Sequence, residues 1–345
     1  MIRVAILGGG IGAQHLDAYR ALPEWDVALL VDQDATRRST FNVPTSDSID
    51  DALASDVNVI DICLPPALHR PVAVQALEAG KHVICEKPLA PSLRDVDAII
   101  DAATRANRTV FPVFQYRYGP AMDALRALDA AGLLGRPKAA TLETHWARHA
   151  RYYAEAPWRG TWAGEMGGCL ITHAIHAHDL LDCLMGPITK VTARTATLIN
   201  PIETEDSAAI VLELASGALA TSSVTLGAAQ DESRVRLVWE HLTATSSTLP
   251  YAPMTGAWQF TVRDPTRQPK IDTILAQIPP KPNGFSGFLT DVAAALNGQT
   301  NSAVTLLEGR RSIELATALY ASARAASSVA LPLPIDHPLY DGWQP

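Results

Sequence analysis

The first third of the chain alternates nearly continuous apolar runs with amphipathic stretches. Ile2–Leu7, Val27–Val31, Val57–Leu64, His82–Cys85 and Thr109–Phe114 are rich in Val and Ile, as strands covered on both faces are. Between them, Ile11–Leu22, Pro66–Ala79 and Ser92–Arg105 have the patterning of helices. Strand–helix alternation at this spacing predicts right-handed crossovers and a doubly wound parallel sheet.

The pattern changes near Gly119. Pro120–Leu134 reads as one helix closed by Gly135. From Lys138, strand follows strand: Ala139–Trp146, Ile188–Leu198, Ser207–Leu214, Ala218–Leu226, Arg234–Trp239 and Trp258–Val262. Several alternate apolar and polar residues, the mark of an antiparallel sheet with one covered face. Helices are expected over Cys169–Met185, Phe285–Leu296 and Thr305–Ala326. Asp264–Gly284 holds five prolines and reads as a long loop; the last fifteen residues hold four and read as an extended tail. The expected division is therefore an α/β domain over residues 1–118 and an α+β domain over residues 119–345.

Composition narrows the partners. A length of 345 residues favours two cores, and 48% hydrophobic against 19% charged residues is a globular balance. Lys and Arg number 28 and Asp and Glu 36, a net charge of −8, so neither nucleic acid nor anionic lipid is an expected partner. No apolar run approaches the ~18 residues that span a bilayer, and the start has no signal-peptide pattern. Cys63, Cys85, Cys169 and Cys183 form no C-x-x-C pair and read as buried thiols, so a cytoplasmic location is expected.

Candidate chemistry begins directly after the first strand, where Gly8-Gly9-Gly10-Ile11-Gly12-Ala13 fits G-x-G-x-x-A. The first glycine permits a tight turn and the second lets a pyrophosphate approach the backbone. The small third position lets helix and strand pack closely. The helix that follows would offer amides to the phosphates. Asp32 ends the second strand, twenty residues beyond Gly12, where a carboxylate accepts from the adenosine ribose hydroxyls; it could also cap the next turn. A 2′-phosphate about 4 Å from that carboxylate would cost roughly 4 kcal/mol at an effective dielectric near 20. NAD is therefore expected over NADP, although Arg37 and Arg38 are close in sequence. At the end of another buried strand, Glu86-Lys87-Pro88 puts a lysine with a restricted backbone at the ligand-binding edge of the sheet. Lys87 could polarise a substrate oxygen or simply pair with Glu86; these residues alone do not choose.

A series of motifs does. Gly8 to Ala13 with His15, the run Leu64-Pro65-Pro66-Ala67-Leu68-His69, and Ala79-Gly80-Lys81-His82-Val83-Ile84-Cys85-Glu86-Lys87-Pro88-Leu89 form its first part. Phe114-Gln115-Tyr116-Arg117-Tyr118 and Gly167-Gly168 followed by His176-x-x-Asp179 complete it. Together they resemble the glucose–fructose oxidoreductase and inositol dehydrogenase family (GFO/IDH/MocA) over nearly the whole chain. The resemblance implies a Rossmann domain and a second domain with a large, open, mainly antiparallel sheet that often serves oligomerisation, here as a homodimer or homotetramer. It also implies nicotinamide-dependent oxidation or reduction of sugars, cyclitols and related polyols. Lys87 and His176 match the catalytic lysine and histidine. Gly8, Gly10, Ile11, Gly12, Asp32, Leu64, Pro65, His69, Glu86, Lys87, Gln115 and Arg117 fall at cofactor-binding positions. Asp179 falls at a substrate position. The chain departs from the pattern at Thr172, where many members have an aspartate, and at Met166, which replaces the first glycine of the usual triplet.

On a continuous helix Thr172, His176 and Asp179 would share one face, with Cys169 and Cys183. His173 and His178 would point elsewhere and read as structural, so no metal is expected. Ahead of this helix, Trp146, Arg148, His149, Arg151, Tyr152, Tyr153, Trp158, Arg159 and Trp162 crowd one segment. Arg148, Tyr152, Trp158, Arg159 and Trp162 are expected to line the substrate pocket, since ring faces pack on sugar C–H groups and arginines bind hydroxyls or carboxylates. The expected activity is NAD-dependent oxidation of a secondary hydroxyl on a sugar, sugar derivative or cyclitol. The alternatives are a keto-sugar reductase of the 3-keto-glycoside type, a nucleotide-binding sensor without turnover, and a zinc hydrolase built on the histidine-rich helix.

Overall fold

The computed structural model describes residues 1–345. Contacts group the chain into two units: Met1–Phe114 with Phe285–Ile313, and Gln115–Gly284 with Glu314–Pro345. A single cut near residue 118 does not reproduce this grouping, because the chain returns to the first unit late. Phe285 packs its ring 4.4 Å from that of His15, the Trp25 indole donates to the Leu289 carbonyl at 3.2 Å, and Arg310 pairs with Asp97 at 2.9 Å. Helical periodicity shows that a helix exists, not which sheet it covers.

The first unit is built on six parallel strands: β1 (Ile2–Leu7), β2 (Trp25–Val31), β3 (Thr45–Ser46), β4 (Val59–Ile62), β5 (His82–Cys85) and β6 (Val110–Pro112). Their order is β3-β2-β1-β4-β5-β6, so the winding reverses between β1 and β4 and opens a crevice at the carboxyl ends there. Every residue of β4 is buried, which explains why it is apolar except at Asp61, a charge inside the sheet. Helices Gly12–Arg20, His69–Glu78 and Leu93–Ala106 return the chain between strands. The last begins at a serine N-cap: Ser92 Oγ accepts from the Asp95 amide and donates to the Asp95 carboxylate.

The second unit holds eight strands: β7 (Pro137–Ala147), β8 (Ile188–Ala196), β9 (Ser207–Leu214), β10 (Leu219–Thr225), β11 (Gly227–Trp239), β12 (Leu242–Ser246), β13 (Trp258–Val262) and β14 (Val329–Ala330). Their order is β13-β12-β11-β7-β10-β9-β8-β14; only β7 and β10 pair in parallel, Ala139 opposite Leu219. β9 and β10 alternate buried and outward residues, and helices Cys169–Thr172 and Ile175–Met185 pack on the covered face. β12, short and polar at alternate positions, is a strand that the apolar pattern does not predict.

Three expectations change. The helix foreseen over Cys169–Met185 is two helices, because the Ala174 amide reaches back five residues to the Cys169 carbonyl and His173 leaves helical geometry. The stretch Asp264–Gly284 contains a 3-10 turn, Pro265–Arg267, and a helix, Gln268–Ala276, with Ile271 buried. Pro265 and Pro269 sit in first turns, where the missing N–H costs nothing and the fixed φ starts the helix. The last fifteen residues are docked rather than extended: Trp343 is fully buried and stacked on Tyr320 at 5.5 Å. Of the four cysteines, Cys183 is exposed. No helix is long and apolar enough to cross a membrane.

Candidate active site

At the carboxyl end of β1 the glycine loop divides its tasks. Gly8 has φ +97°, and a Cβ there would lie 2.4 Å from the Cys63 carbonyl oxygen. A Cβ on Gly12 would strike Ile6 at 2.8 Å, so the close helix–strand contact falls on Gly12 rather than Ala13. A Cβ on Gly10 would meet nothing within 4 Å. That open face, above amides of Ile11 and Gly12 that no backbone carbonyl takes up, could hold a pyrophosphate. Asp32, 8% exposed, accepts from the Gly9 amide at 2.7 Å and the Asp34 amide at 2.8 Å, and from Arg37 at 3.0 Å. Burial would raise its carboxyl, but these donors hold it below the ordinary value. Oδ1 takes one donor and keeps a lone pair for a ribose hydroxyl. The loop and Asp32 therefore fit an adenine dinucleotide.

Behind the loop lies a buried ladder of charges. His15 Nδ1 donates to Asp61 Oδ2 at 2.8 Å, and Nε2 lies 3.2 Å from Glu86 Oε1. Tyr19 Oη also donates to Asp61, at 2.9 Å. Burial alone would push the His15 imidazole down; the Asp61 carboxylate overrides it and holds the ring well above its ordinary value, hence protonated. Glu86 is held low by that imidazolium against its own burial, and its Oε2 accepts from the Lys87 amide at 3.0 Å. His15, Asp61 and Cys63 bring potential ligand atoms within 4.8 Å of one another. Burial pushes the Cys63 thiol up to about 12, and the Nδ1 proton is already spent on Asp61, so this cluster is built to hold a proton. His69 ties the neighbouring loops together, its ring nitrogens 2.7 Å from the carbonyls of Leu64 and Pro88. Leu64 and Pro65 thus sit at the carboxyl end of β4 and Lys87 at that of β5.

In the second unit His176 is buried and stacks on Tyr116 at 4.3 Å and 19°. Arg117, next to Tyr116, forms a two-point fork with Asp179: Nε and Nη2 each donate at 2.7 Å. Both residues are almost fully buried. The turn Gln115–Arg117 and the helix Ile175–Met185 are thereby locked together, with the Gln115 Oε1 left buried without a donor. Asp179 and Arg117, expected on substrate and cofactor, face each other instead. Because of the helix break, Thr172 does not share a helical face with His176; its hydroxyl donates to the Gly168 carbonyl at 2.7 Å and lies 2.6 Å from His173 Nδ1. His178 bonds Ser222 at 3.0 Å, and burial pushes it down to about 4, the behaviour of a neutral core histidine.

The aromatic segment forms a continuous cluster. Trp146 meets His173 edge-on at 5.1 Å and Tyr251 at 4.7 Å, and the Arg148 guanidinium lies over Trp146, Tyr152 and Tyr251. Arg159 covers Tyr152 at 4.2 Å and Trp158 at 5.6 Å. Trp162 turns away to a cavity of about 250 Å³ that it lines with Glu203, Glu205, Tyr320 and Arg324, its indole donating to the Glu203 carbonyl.

Comparison with known proteins agrees with this geometry. Residues 2–114 match the model of an oxidoreductase family with an NAD-binding Rossmann fold, and residues 122–244 match the GFO/IDH/MocA C-terminal domain. The chain belongs to the GFO/IDH/MocA oxidoreductases. Among its relatives, the levoglucosan dehydrogenase of Pseudarthrobacter phenanthrenivorans is 28% identical over 270 residues, 66% of this chain and 68% of that enzyme. An inositol 2-dehydrogenase of Corynebacterium glutamicum is 32% identical over 143 residues, 39% of this chain and 42% of that one. The chain spans between 42 and 68% of the length of these two. The WlbA dehydrogenase of Chromobacterium violaceum, solved with NADH and UDP-GlcNAcA, superposes with a TM-score of 0.84 over 96% of each chain at 28% identity.

Within this GFO/IDH/MocA chain, two groups escaped the sequence reading. His15 was part of a motif without a role, and nothing local pairs it with Asp61 and Glu86, 46 and 71 residues away. Glu205 accepts from the amides of Gly168 and Leu170 and from the Tyr320 hydroxyl, and a Cβ on Gly168 would lie 1.9 Å from its carbonyl oxygen. It therefore seats the turn that leads to His176, yet in sequence Glu205-Asp206 looks like any acidic turn before a strand. Burial raises its carboxyl to about 7 against its hydrogen bonds. His15→Gln leaves Asp61 and Glu86 buried without their shared cation and is expected to cost about 3–5 kcal/mol in urea unfolding at neutral pH; a loss below ~1 kcal/mol would contradict the ladder. Glu205 binds a proton more tightly folded than unfolded, so its contribution to stability falls as pH rises from 4.5 to about 7. Glu205→Gln is expected to flatten that fall in calorimetric midpoints; an unchanged slope would contradict it.

Proposed function

We propose that this oxidoreductase removes hydride from a secondary alcohol carbon of a sugar, sugar derivative or cyclitol and delivers it to NAD. The observation that carries this reading is the convergence of the glycine loop, Asp32 and the amide-anchored Lys87 on the carboxyl edge of one parallel sheet. Bound NAD would supply the hydride acceptor at its nicotinamide ring. The cradle at Gly10 to Gly12 would hold the pyrophosphate and Asp32 the adenosine ribose. The donor-free Gln115 Oε1 would accept from the nicotinamide carboxamide. Lys87 would hold and polarise the substrate oxygen, stabilising alkoxide character as the C–H bond breaks. His176 would take the hydroxyl proton, the hydride leaving with its electron pair. Thr172, bonded to its own turn, supplies no carboxylate base, which leaves the acid–base work to those two groups. The named relatives act on polyols of this kind, levoglucosan and inositol. The outward face of the eight-stranded sheet, with Val211 and Leu219 47% and 58% exposed, supports self-association.

The test follows reduced nicotinamide absorbance with a panel of inositols, levoglucosan, aldoses and sugar acids. Lys87→Ala and His176→Ala are each expected to lower kcat/KM by at least ~10²-fold while NADH binding persists. Turnover within a few-fold of wild type in either variant would overturn the assigned roles.

A further inference from the structure

The ring of Tyr152 lies between two guanidiniums, Arg148 at 5.2 Å and Arg159 at 4.2 Å from its centroid. The two cations differ in their partners. Arg148 is neutralised: its Nη1 is 3.1 Å from both carboxylate oxygens of Asp231, and its Nη2 donates to the Tyr251 hydroxyl at 3.0 Å. Arg159 has a single hydrogen bond, from Nη1 to the Tyr152 carbonyl at 2.9 Å. No carboxylate reaches it within ion-pair distance, whereas Arg148 has Asp231; the Nε of each arginine is buried without an acceptor. Glu165, six residues on, spends its Oε2 on the Gly160 amide at 2.6 Å. A half-buried guanidinium with an orphaned N–H and no ion-pair partner is costly unless a ligand completes it. The Tyr152 and Trp158 faces flank its plane, and Nη2, which no protein acceptor takes up, is the donor left to meet an oxyanion. The His173 ring, 6.2 Å from Tyr152, joins this cluster to the turn just before His176.

We propose that the substrate carries an oxyanion, a sugar carboxylate or a sugar phosphate, and that Arg159 receives it. This rests on the reading of the protein as a polyol dehydrogenase and narrows its substrates to acidic ones. Arg159 is a specificity residue in this account and takes no part in proton or hydride transfer.

Calorimetric titration of the NADH-loaded chain with D-glucuronate, D-glucose 6-phosphate and D-glucose, at matched ionic strength, tests it. At least one anion is expected to bind about tenfold or more tightly than glucose, the ratio a charge-assisted hydrogen bond supplies. The anion that wins identifies the source of the charge. Arg159→Gln is expected to erase the advantage and Arg159→Lys to keep part of it, both still taking up NADH. Arg151→Gln, at an exposed arginine of the same segment paired with Glu155, is expected to leave the advantage intact. Equal affinity for all three ligands, or an advantage that survives Arg159→Gln, overturns the proposal. Because the readout is binding, an anion preference without hydride transfer would sink the dehydrogenase reading alone. Turnover of neutral polyols with no anion preference would sink this inference alone.

Discussion

Two carboxylates buried in the first unit must share one imidazolium. Asp61 lies inside β4, where every neighbour in the strand is apolar, and an isolated charge there would not persist. His15 answers it from the helix that follows the glycine loop, and Glu86 closes the ladder from the end of β5. A single ring therefore fixes the mutual positions of three carboxyl-edge elements: the loop that would meet phosphates, the end of β4 and the end of β5. The remaining oxygen of Glu86 then anchors the Lys87 amide. The glycine loop and the candidate catalytic lysine are thus positioned by the same buried charges.

The second unit solves a similar problem with a fork. Arg117 and Asp179 neutralise each other almost without solvent, and the pair clamps the turn bearing Tyr116 to the helix bearing His176. The π-like widening at Ala174 separates Thr172 from that helix and turns its hydroxyl to the backbone. A residue that family resemblance would place near the substrate has become part of a turn. His176 keeps its place through a stacked ring and a neighbouring fork, neither of which requires the missing carboxylate.

What was legible in the sequence was whatever local chemistry specifies. Buried parallel strands announced themselves by continuous apolarity, and the tight turn by Gly8, whose Cβ would strike the Cys63 carbonyl; the close packing expected at Ala13 falls on Gly12. Features made by distant residues were not legible. The resemblance places Asp179 at a substrate position, and only the fold reveals Arg117 opposite it. The helix break depends on a hydrogen bond that reaches one residue too far, which leaves no trace in periodicity. Pro265 and Pro269 looked like breakers because proline disrupts helix interiors; at first turns it starts them. The late return of 285–313 to the first unit depends on Phe285, Leu289 and Arg310 meeting partners more than two hundred residues earlier.

The central claim is that the glycine loop and Asp32 bind a dinucleotide whose adenosine ribose bears no phosphate. Fluorescence titration of the full chain with NADH and with NADPH tests it directly. Asp32 keeps its charge through the Gly9 and Asp34 amides, and a 2′-phosphate beside it is expected to weaken binding at least tenfold, well within the roughly 4 kcal/mol such a pair can cost. Tighter binding of NADPH, or uptake of neither nucleotide, would contradict the account.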